Sequence, residues 1–317
     1  MAGKKMITVF GATGAQGGAV AQTFLNDPKL KSEWSVRAVT RNTTKETAKK
    51  LESQGAEVVS ADMNDKSSLA KAMAGASAVF AVTNYWEKMD MKLEIQQGKN
   101  LVDAAKEAGV GHFVWSSLLN ITKLSNGKLP NVFHFDSKAE VEEYARQVGI
   151  PATFFLPGCY MSNFPGSMFR QISPADPWTL IMPVPETASI PVFDTVDTGK
   201  FVKGIVLHRD SLLGERVYGA TTYMTAREVV DGFKSAFPVE GSTAGFFEMP
   251  HDNYLYALQG MGIPDFAAQE LLENMLLFAE FGYFGGAELD KSHAILEDKL
   301  TTWEDHAKKA SSFQGLN

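Results

Sequence analysis

A chain of 317 residues with 30 basic and 37 acidic side chains has a formal net charge of −7, which argues against direct nucleic-acid binding. The one cysteine, Cys159, excludes an internal disulfide framework and a multi-thiolate metal centre, and we expect no metal site. A single cysteine also fits a reducing compartment, and we expect the protein in the cytoplasm, with or without the nucleus. We expect no secretion signal and no membrane span, because the most apolar later segment, residues 275–284, is short and interrupted by Glu280 and Gly282.

Short apolar runs alternate with segments of helical periodicity through the first half of the chain. Strands are predicted at residues 7–10, 36–40, 57–61, 78–82, 112–116 and 153–156, and helices at 19–25, 45–53, 67–73, 92–108 and 136–147. This alternation is typical of βαβ units, whose crossover helices cover both faces of a parallel sheet. We therefore predict an α/β fold with a doubly wound parallel sheet of the Rossmann type.

The pattern becomes less regular after Pro157, where prolines and aromatic residues are scattered. Strands at 188–193 and 216–219 and helices at 198–206, 225–237 and 266–281 are still predicted. We expect residues 1–157 to form the Rossmann domain, with elements of 188–237 returning to it, and residues 158–317 to form a smaller, irregular α+β lobe. The apolar segment 275–284 is interpreted as a core helix, with a partner-binding surface as the alternative.

Three glycines, Gly11, Gly14 and Gly17, directly follow the first predicted strand and open the first helix. They permit a tight turn, a close approach of the backbone to a pyrophosphate, and close packing of helix on strand. Backbone N–H groups at the helix start then face the phosphates, where the helix dipole favours negative charge. The turn, with Thr13 and Gln16, predicts a dinucleotide site; a glycine turn that binds nothing is the alternative.

The end of the second strand indicates which dinucleotide is bound. A site that prefers NAD usually places an acidic residue there to bind the adenosine ribose. This strand instead ends at Thr40 and Arg41, and a guanidinium offers two parallel donors to a 2′-phosphate. We predict NADP(H) as the cofactor, with NAD(H) bound more weakly, against the alternative of a solvated loop arginine.

The spacing Gly-x-x-Gly-x-x-Gly resembles that of extended and atypical short-chain dehydrogenase/reductases. This superfamily uses a Tyr-x-x-x-Lys pair, because residues four apart share one face of a helix. The matching residues are His134 and Lys138, so histidine stands in the tyrosine position. The resemblance makes Lys138 a ribose contact and leaves His134 with a proton-transfer role or a structural or substrate-contacting one. Ser116 or Ser117, after the fifth strand, matches the catalytic serine; we take Ser117, although such serines are also ordinary turn residues.

Four further segments, 82–86, 134–138, 156–163 and 191–197, resemble the NmrA-like branch of these proteins, and its animal redox-sensor members more than its plant reductases. The resemblance implies that the cofactor cleft is lined by further residues along the chain: Asp62, Met63, Thr83, Asn84, Tyr85, Pro157, Tyr160 and Asn163.

Two functions follow from this resemblance. The first is a redox sensor or regulator that binds a protein partner according to cofactor state. The alternative is an NADPH-dependent oxidoreductase of quinones, carbonyls or imines, because aromatic residues beside a nicotinamide suit a flat substrate. A monomer and a homodimer remain equally compatible with the sequence.

Overall fold

A computed structural model describes residues 3–317. In the first half of the chain strands and helices alternate: β1 (Lys5–Val9), α1 (Ala15–Asn26), α2 (Pro28–Glu33), β2 (Trp34–Thr40), α3 (Glu46–Ser53), β3 (Glu57–Ser60), α4 (Lys66–Met73), β4 (Ala78–Ala81), α5 (Met91–Glu107), β5 (His112–Ser116), α6 (Ile121–Leu124), α7 (Phe133–Val148) and β6 (Ala152–Pro157). The six predicted strands are all present, and their observed bounds lie within two residues of the predicted ones.

The second half is less regular and contains shorter elements. They are β7 (Cys159–Tyr160), β8 (Phe169–Arg170), β9 (Thr179–Met182), β10 (Ser189–Phe193), α8 (Thr198–Leu207), α9 (Arg209–Leu212), β11 (Arg216–Gly219), β12 (Thr222–Thr225), α10 (Ala226–Ala236), β13 (Gly245–Glu248), α11 (His251–Gly260), α12 (Asp265–Glu280), α13 (Asp290–His293) and α14 (Trp303–Ala307). Short 3₁₀ turns at Tyr85–Glu87 and Met161–Asn163 lie near the edge of the central sheet.

The central sheet is parallel and has the strand order β11-β6-β5-β4-β1-β2-β3. Every residue of β4, β5 and β6 is buried, as expected for parallel strands covered by helices on both faces. The strand order reverses between β1 and β4, and ligands of such sheets bind beyond the carboxyl ends of the strands at this point. The predicted Rossmann-type α/β fold is confirmed.

Two smaller sheets lie in the second half, with strand orders β12-β10-β7 and β13-β9-β8. In the segment 275–284, Met275, Phe278 and Phe284 are each less than 5% exposed, so its large apolar side chains belong to the core, as the interpretation of a core helix expects. Within residues 3–317, no helix is both long and apolar enough to cross a bilayer.

Candidate functional site

A cavity of about 1150 Å³ opens at the edge of the sheet where the strand order reverses, and it extends to α11 and α12. All fifteen residues predicted to bind the cofactor line it: Gly11, Thr13, Gly14, Gln16, Gly17, Arg41, Asp62, Met63, Thr83, Asn84, Tyr85, Lys138, Pro157, Tyr160 and Asn163. His134 lines it as well, whereas Ser117 does not. The structure therefore brings together side chains from six strand ends and from the second half of the chain.

The glycine turn has the geometry that its sequence predicts. Gly11 has φ +65°, a left-handed conformation that favours glycine. A Cβ added at Gly17 would lie 2.4 Å from the carbonyl oxygen of Gly11, so only glycine lets the helix start so close to the strand. Gly14 caps α1 without a side chain, and the first turn of α1 has no acidic residue. An anionic phosphate can therefore approach the first N–H groups of α1.

The loop after β6 is fixed above this turn by a short chain of hydrogen bonds. The side-chain amide of Gln16 donates to the Tyr160 hydroxyl at 2.6 Å and accepts from the Ser116 hydroxyl at 2.9 Å. Burial raises the pKa of Tyr160, so its phenol remains protonated. Cys159 beside it is also buried, which raises the pKa of its thiol to about 12.

Arg41 lies at the outer end of the cavity, where its side chain is 65% exposed. Its guanidinium binds Glu87 through two parallel hydrogen bonds of 2.6 and 2.8 Å. The hydrogen bond from Arg41 lowers the pKa of Glu87, which keeps the carboxylate charged. Sequence reasoning missed Glu87, which is separated from Arg41 by 46 positions.

Asp62 borders the same end of the cavity without capping a helix. Its carboxylate accepts from the backbone and side-chain N–H groups of Asn64 at 2.8 and 2.9 Å. The N-cap of α4 is Asp65, which accepts from the Ser67 N–H. Asp62 and its neighbour Met63 thus face the cavity from a turn that Asn64 stabilises.

Lys138 lies inside the cavity wall, and its side chain is only 11% exposed. Its ammonium pairs with Glu94 at 2.5 Å, and Glu94 also accepts from the hydroxyls of Thr83 and Ser137. Burial alone would raise the pKa of Glu94, but the Lys138 ammonium and these donors hold it below its ordinary value. Lys138 is therefore a fixed cation rather than a solvated surface lysine. Glu94 is a second residue that sequence reasoning missed.

His134 is held by a third residue that sequence reasoning missed, Glu270 of α12, whose side chain is fully buried. The Glu270 carboxylate accepts from His134 Nδ1 at 2.6 Å, from the His134 backbone N–H at 2.8 Å and from the Tyr85 hydroxyl at 2.7 Å. A carboxylate only accepts, so the proton of this contact lies on Nδ1. The His134 ring also packs 4.9 Å from the Trp86 ring. Burial, together with Glu270, raises the pKa of Tyr85 far above its ordinary value, so Tyr85 remains a donor.

The structure does not place Ser117 in the site. Its hydroxyl donates to Glu142 at 2.7 Å, and Ser117 is not among the residues that line the cavity. Successive side chains of an extended segment point in opposite directions, so the neighbouring Ser116 faces the cavity instead. The catalytic role predicted for Ser117 therefore has no geometric support, because its hydroxyl is bonded to the buried Glu142 and does not border the cavity.

The part of the cavity that borders α11 and α12 is here called the inner chamber. Its wall comes from β8, β9, the end of β13, α11 and α12, and consists largely of apolar side chains: Met168, Ile181, Met249, Tyr254, Leu258, Leu271, Met275 and Tyr283. Arg170 and Asn274 are polar exceptions in this wall.

The sequence profile of the NmrA-like family matches residues 3–307. The NmrA-like oxidoreductase malD of Malbranchea aurantiaca is 33% identical over 249 residues, covering 73% of this chain and 72% of that protein. An NmrA-like protein of Dictyostelium discoideum is 28% identical over 319 residues, covering 96% of this chain and 97% of that one.

Solved structures with the same fold include the negative transcriptional regulator NmrA in complex with NADP, with a TM-score of 0.79 and 21% identity. That match covers 99% of this chain and 95% of NmrA. The triphenylmethane reductase of Citrobacter sp., complexed with NADP(H), matches with a TM-score of 0.74 and 22% identity over 96% of this chain and 99% of the reductase.

Proposed function

Because the chain belongs to the NmrA-like family, we propose that it binds NADP(H) and reduces a flat, largely apolar carbonyl, quinone or imine. The observation that carries this proposal is the continuity of the cavity. The glycine turn, His134 and the apolar inner chamber all border one space, which exceeds the roughly 300–1,000 Å³ of an ordinary ligand pocket. There is thus room for a dinucleotide and a second molecule.

The residues that border the outer part fit NADP(H). The bare first turn of α1 suits the pyrophosphate, and Arg41 suits the 2′-phosphate. Lys138 is placed to bind a ribose hydroxyl, while Asp62 and Met63 border the adenine end. NAD(H) lacks the 2′-phosphate and should bind more weakly. In support, structures of proteins with this fold are described with NADP, NADP(H) or NAD bound.

When bound, NADPH supplies a hydride, which carries two electrons to the substrate. The substrate oxygen or nitrogen then needs one proton, and we assign its delivery to His134 Nε2. Glu270 fixes the His134 ring through Nδ1 and offsets the positive charge of the doubly protonated imidazole. When Nε2 gives its proton to the substrate, the imidazole ring becomes neutral. Water restores that proton. Relatives named as oxidoreductases, such as those of Malbranchea aurantiaca and Aspergillus campestris, support a reductase.

The proposal is tested by following NADPH oxidation in stopped flow against a panel of quinones, aldehydes and imines. We expect at least one compound to oxidise bound NADPH faster than buffer does. His134→Gln should lower kcat by roughly 10²-fold, the low end for loss of a general acid, while the NADPH Kd stays unchanged. If no compound in the panel oxidises NADPH, the reductase proposal fails.

A second function, a redox sensor or regulator acting through a protein partner, rests on a different observation. The Tyr85 hydroxyl on the cofactor side is bonded to Glu270 on α12, and α12 packs against α11. Both helices expose apolar side chains, Tyr256 and Phe266, so a change at the cofactor can reach a surface of the proposed lobe 158–317. This function predicts a partner whose capture changes when NADP(H) is added; a partner set indifferent to cofactor contradicts it.

A further inference from the structure

The inner chamber contains one arginine, Arg170, in a wall that is otherwise mostly apolar. Arg170 is half-buried, and the ion pairs formed within residues 3–317 do not include it. At the cofactor end, Arg41, Lys138 and His134 each pair with a carboxylate, whereas Lys45 and Lys88 line the cavity without an ion pair in the described chain. Arg170 differs from all of these in its place, because it lies without an acidic partner in the described chain in the mostly apolar wall of the inner chamber.

The strand register directs Arg170 toward the chamber. In the sheet β13-β9-β8, Phe169 pairs with Leu180, and both are fully buried on the core side. Side chains alternate along a strand, so Arg170 points to the opposite face. Ile181 lies on that face too and lines the same cavity.

A second polar atom in this wall also lacks a partner. Asn274 lines the cavity from α12, and its Oδ1 is buried without a hydrogen bond to any described residue. Oδ1 is closed off from the cavity, so the amide atom that a ligand can reach is Nδ2, a donor that forms no hydrogen bond to a described residue either. Together with Arg170 this gives the chamber two donor groups without a partner in the described chain.

We propose that the inner chamber binds an apolar carboxylic acid, with Arg170 holding the carboxylate and Asn274 Nδ2 donating to a hydroxyl or carbonyl oxygen of the same molecule. The fork of an arginine matches a carboxylate geometrically, and low-dielectric surroundings strengthen the pair. Met168, Ile181 and Leu258 then cover the apolar body. That the substrate is such an acid, one that also carries a reducible carbonyl, quinone or imine group, rests on the proposed reductase function; the binding of the acid does not.

The test is calorimetric titration of the full chain saturated with NADP⁺, so that no turnover occurs. Three probes separate the two contacts: 2-naphthoate has only the acid, 2-naphthol only the hydroxyl, and 6-hydroxy-2-naphthoate has both. The variants are Arg170→Gln and Asn274→Leu. Arg227→Gln, which changes an exposed arginine of α10 that pairs with Glu186 in the loop before β10, is the matched control.

Arg170→Gln should weaken both naphthoates by roughly 10- to 100-fold, the range for a hydrogen bond to a charged group, and leave 2-naphthol unchanged. Asn274→Leu should weaken the two hydroxyl-bearing probes and spare 2-naphthoate. Arg227→Gln should change none of them. The proposal is overturned if 2-naphthoate does not bind the wild type, if Arg170→Gln weakens all three probes equally, or if it weakens NADP⁺ instead. Failure of the reductase function would show as absent NADPH oxidation with naphthoate binding intact.

Discussion

Glu270→Gln tests the hydrogen-bond arrangement around His134 directly. The fully buried Glu270 carboxylate accepts three hydrogen bonds, at 2.6, 2.7 and 2.8 Å. The neutral carbonyl oxygen of glutamine accepts each hydrogen bond less strongly than the carboxylate does, by about 1 kcal/mol per bond. The new NH₂ group also faces a donor, and the group that is left unpaired costs a further amount of about 1–3 kcal/mol. We therefore expect the variant to lose roughly 3–5 kcal/mol of unfolding free energy in urea and to lower kcat by roughly 10²-fold.

Glu273→Gln is the matched control for this prediction. Glu273 lies on the same helix, is equally buried and accepts from the backbone and side-chain N–H groups of Asn131 at 2.7 and 2.6 Å, but it does not contact His134. Its replacement should cost a similar unfolding free energy while changing kcat by less than about threefold, as expected for a position outside general acid catalysis. Equal losses of kcat in the two variants, or an unchanged kcat in Glu270→Gln, would refute the reasoning.

Three further predictions concern the cofactor site and the core. Arg41→Ala should raise the Kd for NADP⁺ by roughly 10- to 100-fold and barely change the Kd for NAD⁺. Glu87→Gln, which frees the Arg41 guanidinium, should lower the Kd for NADP⁺ by roughly two- to fivefold. Equal effects on both dinucleotides in calorimetry would contradict this prediction. Gly17→Ala should abolish NADP⁺ binding and lower the unfolding free energy by about 1–3 kcal/mol, because the new Cβ would lie 2.4 Å from the rigid Gly11 carbonyl oxygen. A variant with normal NADP⁺ affinity and an unchanged urea midpoint would argue against so close a contact. Burial lowers the pKa of His112 to about 4 from 6.5, and its Nδ1 has no partner in the described chain, so the unfolded chain gains a proton first as pH falls. Stability should be complete above pH 6.5 and decline by roughly 3 kcal/mol toward pH 4, a loss that His112→Gln should lack in urea titrations across this range.

Local patterns predicted most of the central sheet. The strand at 112–116 was placed at its observed bounds, because five consecutive buried residues in a parallel strand leave an uninterrupted signal. Helix α7 was predicted to begin at 136 but begins at Phe133. The N–H of His134 in its first turn is satisfied by Glu270, 136 positions away, and the N-cap residue Val132 has no capping side chain, so no local residue marks the start.

The candidate site likewise contains residues that a local pattern reveals and residues that only long-range contacts bring together. Gly11, Gly14 and Gly17 are recognisable because one turn supplies the whole phosphate cradle. Glu94 and Glu270 were missed because each acts on a residue far along the chain, at separations of 44 and 136 positions. Strands β8 and β9, which frame the inner chamber, lie in a proline-rich stretch and are too short for period-two alternation to be visible.

The central claim, hydride transfer within this cavity, is tested most directly by isotope transfer. Protein and a reducible carbonyl compound would be incubated with NADPH that carries deuterium at both C4 positions of the nicotinamide, and the product analysed by mass spectrometry. For a carbonyl we predict one deuterium on the former carbonyl carbon, with incorporation lost in Gly17→Ala and slowed in His134→Gln. A product without deuterium, or labelling at the same rate without protein, would contradict the proposed reductase function.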